Sequence, residues 1–291
     1  MPVRFGISPI GWSNDDLPEL GGDTPLETCL TEARLAGFEG IELGNKFPRD
    51  PAVLRPMLER YGLSLISGWY SGRLLERSVR EELAAIEAHR GLLVAMGCAV
   101  LVYAETSGSI AGDRSRPLSS RPRLRHGGWH DFAGRLTELA ECLLRRGMRL
   151  AYHHHMGTVV ESETEIDRLM AETGDSVGLL LDSGHLAFAG IDPAALARRY
   201  ARRHCKDVRP DVLVRVHADD ASFLDAVFHG VFTVPGDGCI DFGGVLAGLA
   251  AADYCGWLVV EAEQDPAKAP PFAYARLGFG HLSAAAARAG L

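Results

Sequence analysis

The chemistry in this sequence collects where ionisable side chains cut off apolar runs. Glu42 follows Gly40-Ile41, Glu105 closes Leu101-Val-Tyr-Ala104, and His153, His154 and His155 close Leu150-Ala-Tyr152. Asp182 ends Leu179-Leu-Leu181, and Glu261 ends Leu258-Val-Val260. Side chains alternate along an extended strand, so His153 and His155 share the face of Ala151 while His154 points away. Asp182 stands at a strand end with His185 in the turn beyond it, an arrangement that lets both look into one cavity. An aspartate N-cap for a following helix would have the same spelling. In His204-Cys-Lys-Asp207, alternation puts His204 and Lys206 on one face; the basic last turn of a helix is the other reading. Glu261 at a buried strand terminus is costly without a partner or a cation. One or two histidines with two carboxylates make a mixed N and O donor set that suits divalent Mn, Co or Zn.

Residues so far apart in sequence need a scaffold that gathers strand ends. Apolar runs predict strands at Val3–Ser8, Gly40–Leu43, Leu63–Trp69, Cys98–Ala104, Arg149–His153, Val177–Leu181, His204–Val208 and Trp257–Glu261. Helical patterns follow at Pro25–Ala36, Pro51–Tyr61, Val79–Met96, Trp129–Arg146, Ser162–Glu172, Pro193–Arg203 and Pro271–Ala289. Thr24 reads as the N-cap of the first helix and Gly37 as its stop, and Ser162 with Glu165 spells a capping box. Eight strand-then-helix units in 291 residues predict an α/β fold, a (β/α)8 TIM barrel spanning 1–291 as one domain. A doubly wound sheet is disfavoured because no GxGxxG follows the first strand. Barrel active sites form where the C-terminal strand ends converge. Long loops at 106–128 and 209–238 fall on that face, the second reading as a lid or an oligomer contact.

Composition narrows the partners. With 47% hydrophobic residues the chain can bury a core, and disorder is excluded. A net charge of −8 repels polyanions overall, so no nucleic acid is expected as partner. Five arginines in the first long loop (114, 116, 121, 123 and 125) keep open a DNA-tracking alternative, against the plainer reading of a solvated loop. No apolar run is long enough to span a bilayer, so no membrane is expected, and the N-terminus lacks a signal-peptide pattern. Six scattered cysteines without a CxxC pair read as buried free thiols in the cytoplasm.

Taken together, these segments resemble the xylose-isomerase-like sugar isomerase and epimerase superfamily and, within it, the myo-inosose-2 dehydratases of inositol catabolism. The resemblance is carried by Pro9-Ile-Gly-Trp-Ser-Asn-Asp-Asp16, Glu42-Leu-Gly-Asn-Lys-Phe-Pro48 and Tyr152-His-His-His-Met-Gly-Thr158. It continues through Leu181-Asp-Ser-Gly-His-Leu186, His204-Cys-Lys-Asp-Val-Arg209, Phe232-Thr-Val-Pro-Gly-Asp-Gly-Cys-Ile-Asp-Phe242 and Val260-Glu-Ala-Glu-Gln-Asp265. It implies one divalent metal near the barrel axis. Asp182, His204 and Glu261 match the last three of the superfamily's Glu, Asp, His and Glu ligands, and His153 takes the place of the first. It also implies His155 or Glu261 as base, and His185 or Lys206 as acid or oxyanion stabiliser, with His185 touching substrate. Trp12, Glu42, Lys46, Trp69 and Glu105 receive a substrate-binding, pocket-lining role. The implied reaction is dehydration of 2-keto-myo-inositol by α-proton abstraction, a metal-stabilised enediolate and loss of the β-hydroxyl. The family implies manganese or cobalt, and glutathione. An epimerase or isomerase on the same metal site is the near alternative, and an apurinic-endonuclease-like DNA repair barrel the distant one.

Overall fold

The computed structural model describes residues 3–200 and 203–291. Parallel strands form at Arg4–Ile7 (β1), Gly40–Leu43 (β2), Ser64–Gly72 (β3), Val100–Glu105 (β4), Arg149–His153 (β5) and Val177–Asp182 (β6). Between them run helices Leu26–Ala36 (α1), Pro51–Arg60 (α2), Val79–Ala95 (α3), Gly128–Arg145 (α4) and Glu163–Glu172 (α5). The chain continues through Ser183–Phe188 (α6), Pro193–Arg199 (α7), Arg203–Cys205 (β7), Asp207–Val208 (β8), Pro210–Ala218 (α8), Phe223–Phe228 (α9) and Phe232–Thr233 (β9). It ends with Phe242–Ala251 (α10), Trp257–Val260 (β10) and Pro271–Ala289 (α11). Eight strands close the predicted barrel in the order β1-β10-β7-β6-β5-β4-β3-β2.

Alternation decides which residues face the axis. Val102, Ala151 and Leu180 pack together as a small cluster, separate from the large core that Tyr103, Tyr152, Leu179 and Leu181 share with the helices. Ala151 therefore faces inward, and His153 follows it two residues later. Gly37, at φ +113°, stops α1 as expected. Thr24 does not cap that helix: Pro25 occupies the N-cap position, and the Thr24 carbonyl accepts from Lys46 Nζ.

The largest departures from the sequence reading lie after β6. The helix expected over Pro193–Arg203 ends at Arg199, because Tyr200 is already extended; residues 201 and 202 of that expectation lie outside the described residues. The expected strand His204–Val208 divides into β7, in the barrel, and β8, which pairs antiparallel with β9. The Asp207 carboxylate causes the split, accepting from the backbone N–H groups of Gly236, Gly238 and Ile240 and so pulling the chain toward 234–240. The 209–238 segment is not a bare loop. Val212, Val216, Phe223, Leu224, Val227 and Phe232 form a second core with Leu17, Leu20, Met156 and Phe188. Helix α10 was not anticipated, and α6 follows the reading of Asp182 as a helix N-cap. Among the described residues no helix is long and apolar enough to cross a membrane. Among the described residues no disulfide joins the cysteines; Cys29, Cys98 and Cys205 are buried, whereas Cys142 is half-buried and Cys239 and Cys255 are exposed.

Candidate active site at the C-terminal mouth of the barrel

Strands β5, β6 and β7 and the residue after β10 deliver His153, Asp182, His204 and Glu261 to one spot. Asp182 serves both expected roles. Its Oδ1 accepts from the His185 N–H at 2.8 Å as the N-cap of α6, which frees Oδ2 to face the site. Around Oδ2 stand His153 Nε2 at 3.6 Å, Lys206 Nζ at 3.7 Å and His204 Nδ1 at 3.8 Å. None of them hydrogen-bonds it, so a fully buried carboxylate oxygen is left without a partner. Two ligands each about 2.1 Å from a shared ion can stand no more than about 4.2 Å apart, so this gap fits a cation.

The histidines are oriented for that task. His153 Nδ1 donates to the His154 carbonyl at 2.7 Å, and His155 Nδ1 to the Met156 carbonyl at 2.8 Å. Each therefore keeps its proton on Nδ1 and presents a lone pair at Nε2. His204 Nε2 lies 2.8 Å from Glu42 Oε1, which also accepts from Ser67 Oγ at 2.6 Å, while its Nδ1 lies 2.9 Å from Glu261 Oε2. Glu42 is thus a carboxylate that aims a ligand-type histidine.

Lys206 organises the charges behind the site. Fully buried, its ammonium donates to Glu261 Oε1 at 2.7 Å, to Glu263 Oε2 at 3.0 Å and to His185 Nε2 at 3.0 Å, using all three protons. Accepting that bond leaves the His185 proton on Nδ1. Burial opposes charge on Lys206, yet Asp182, Glu261 and Glu263 outweigh it and hold the ammonium above its ordinary range. Burial likewise works against ionising Asp182 and Glu261, and the Lys206 charge reverses this, lowering both. On Glu263 burial wins: with Glu261 beside it, its carboxyl is pushed up to about 7 despite Lys206. Burial, with His153 and Lys206 nearby, brings His155 down to about 3. For His204, burial is overcome by the carboxylates of Glu42 and Glu261, which hold it well above the usual histidine range.

A cavity of about 610 Å³ opens above these groups, within the range that small ligands fill. Glu42, Trp69, His153, His155, His204 and Glu261 line it. Asp182, His185 and Lys206 stand directly behind that wall. Phe223 and Phe232 close over the histidines, with ring centroids 4.8 Å from His155 and 5.2 Å from His185 respectively. His185, expected to touch substrate, is fully buried and lines no part of the cavity, and three more residues expected at the pocket are elsewhere. The Trp12 indole is buried and donates to Glu32; Lys46 is exposed and donates to the carbonyls of Gly21 and Thr24. Glu105 is fully buried and accepts from the N–H groups of Leu74 and Ser107, so it ties loop to strand rather than facing the cavity. The structure adds Glu263, Asp15 and Asp16 to the wall. Glu263 was within reach of the sequence, standing two residues beyond Glu261 on the same alternation.

Residues 30–284 match the family described as xylose isomerase-like TIM barrel. The chain is 54% identical to the rhizopine catabolism protein MocC of Rhizobium meliloti, over all of this chain and 90% of that protein. It is 47% identical to an inosose dehydratase of Geobacillus thermodenitrificans, over 94% of each. Among solved structures, a xylose isomerase domain protein of Alicyclobacillus acidocaldarius is similar with a TM-score of 0.68 at 21% identity, covering 99% of this chain and 100% of that one. The IOLI protein, solved with a zinc atom, is similar at 0.67 and 14% identity, covering 99% and 98%. These two likenesses are likenesses of fold.

Proposed function

The chain belongs to the xylose isomerase-like TIM-barrel family, and from that premise we propose that it is a hydro-lyase, an inosose dehydratase of inositol catabolism. Its substrate is 2-keto-myo-inositol and its product a trihydroxycyclohexane-1,2-dione. The reading rests on relatives named inosose dehydratase at 44–47% identity over nearly the whole chain. The observation that carries the site is the unpartnered, buried Asp182 Oδ2, faced by His153 and His204 and backed by Lys206.

His153, Asp182, His204 and Glu261 would hold a divalent Mn, Co or Zn ion. Bound there, the ion supplies a Lewis acid that polarises a keto group and acidifies the adjoining C–H. His155 Nε2, free and directed into the cavity, takes the α-proton. Glu261 is less suited as base, because Lys206 holds its Oε1 and its other oxygen would serve the ion. Lys206 keeps its protons and acts by its charge. Glu263 has one oxygen on Lys206 and lines the cavity, a placement for returning a proton to the departing hydroxyl. His185, its ring 4.3 Å from that of His155, supports the base from behind. No residue here assigns a place to glutathione.

The substrate class is a small polyol ketone rather than DNA. Arg114 is paired with Asp225, Arg116 with Ser120, and Arg121 is buried, so three of the loop arginines serve their own chain. We place the reaction in the cytoplasm. Incubating the metal-loaded protein with scyllo-inosose tests the whole reading: ultraviolet absorbance of an enolised diketone is the expected result. Solvent deuterium entering recovered substrate without net loss would instead mark an isomerase or epimerase and overturn it.

A further inference from the structure

Four of the five arginines between residues 114 and 125 are exposed; Arg121 is buried. Its Nη2 donates to both carboxylate oxygens of Glu165 at 2.9 Å, its Nε lies 3.3 Å from Glu161 Oε1, and its Nη1 donates to the Thr158 carbonyl at 3.1 Å. A planar fork is needed to reach all of these at once. Each partner belongs to the segment that leaves β5. Glu161 Oε2 accepts from the Gly157 N–H at 2.8 Å, and Glu165 accepts from the N–H groups of Glu161 and Ser162 at the start of α5.

The same segment fixes His155. Thr158 Oγ1 donates to the His155 carbonyl at 2.8 Å, and the His155 N–H donates to the Val160 carbonyl at 3.2 Å. Residues 155–162 therefore form one tight turn, with His155 on the cavity side and Arg121 gripping the far side. A second attachment keeps the two loops in register: the Ile110 N–H donates to the Gly157 carbonyl at 3.0 Å. Gly157 has φ +76°, and a Cβ there would come within 2.9 Å of the Ala111 nitrogen, so only glycine allows this approach.

We infer that Arg121 is a positioning residue for the proposed base: by clamping Glu161, Glu165 and the Thr158 carbonyl, it holds the His155 imidazole at the angle at which Nε2 faces the substrate. Arg121 itself lines no part of the cavity. The inference rests on the proposed reading of His155, and it gives the β4 loop a role within the site.

The test is Arg121→Met in the metal-loaded full chain, beside Arg125→Met as the exposed control. Turnover of scyllo-inosose should fall about 100-fold in kcat, the scale of a misplaced catalytic group. KM should move less than about threefold, and metal content should match the parent. A second readout needs no substrate. In ¹⁵N-histidine NMR spectra, assigned with His155→Gln, the His155 Nδ1–H resonance should be sharp in the parent and broadened or lost in Arg121→Met. That separates failure of this inference from failure of the dehydratase reading. An unmoved His155 resonance, or kcat within twofold of the parent in an active enzyme, overturns it. Should Arg121→Met not fold, Glu161→Gln carries the same test, with the same spectral change expected and an unchanged spectrum overturning the inference.

Discussion

Lys206 and Asp182 separate stability from chemistry at the level of single side chains. Lys206 is buried against Glu261 and Glu263, with Asp182 near by, so Lys206→Met leaves like charges facing one another without water. Removing one partner of such a buried set costs about 3–5 kcal/mol, and the denaturant midpoint of Lys206→Met should fall accordingly. Asp182→Asn should behave differently. Asparagine caps a helix start as well as aspartate does, so α6 should persist, and the midpoint should fall by less than in Lys206→Met because Lys206 keeps Glu261 and Glu263. The lost Oδ2 charge should instead abolish metal retention and turnover, as metal analysis of the purified variant will report. The sequence reading reached Asp182 because it ends an apolar run and Lys206 because it alternates onto the face of His204. It failed for Trp12, Lys46 and Glu105, which stand beside the right motifs but are claimed by Glu32, by backbone carbonyls and by backbone N–H groups. All of those partners but the Ser107 N–H on Glu105 are distant in sequence, and alternation carries no information about them.

Among the elements, β3 and α3 show how the wall is kept in place. Gly72 lies where a Cβ would meet Tyr103 Cζ at 1.9 Å, so Gly72→Ala must displace a ring whose hydroxyl reaches Glu82 and Glu105. Overpacking of this kind costs about 1–3 kcal/mol, which thermal unfolding will register. On α3, burial lowers the pKa of His89 from 6.5, with Arg49 adding to it and the Gly68 carbonyl opposing. The unfolded chain then binds a proton at a higher pH than the folded one. The His89 contribution to stability is therefore complete above about 6.5 and is lost as pH falls through the lower folded value. His89→Gln should flatten the decline of the urea midpoint just below pH 6.5 relative to the parent. Elements with plain periodicity and glycine stops, such as α1, β5 and α11, were legible in the sequence. The Phe242–Ala251 helix was not, because Phe-Gly-Gly-Val-Leu-Ala-Gly-Leu reads as a glycine-broken apolar run. There Gly244 and Gly248 instead allow close approach to Ala194 and Ala197.

At the scale of the molecule, the barrel and the 209–238 insertion meet over His155 and His185. The insertion's second core includes Met156, one residue past His155, and Phe188 of α6, so it is continuous with the floor of the site. Phe223 of α9 packs edge-on to His155 at 4.8 Å and stacks near His185 at 5.9 Å. Phe232 of β9 lies 4.5 Å below the Lys206 ammonium, a cation–π contact that also keeps water from the buried charges. Length alone marked this segment as functional; its helices were hidden because their apolar faces pair with Leu17, Leu20 and Phe188, far away in sequence. Phe223→Ala should therefore do two things at once. A buried phenylalanine truncated to alanine costs about 3–5 kcal/mol, read as a lower denaturant midpoint. Water reaching His155 would also weaken the electrostatic environment on which proton transfer depends, so kcat should fall at temperatures where the variant is still fully folded. Phe223→Leu refills most of the space and should recover stability more completely than turnover. If the two variants lose kcat only in proportion to the fraction unfolded, α9 is a structural cover and the chemistry belongs to the barrel alone.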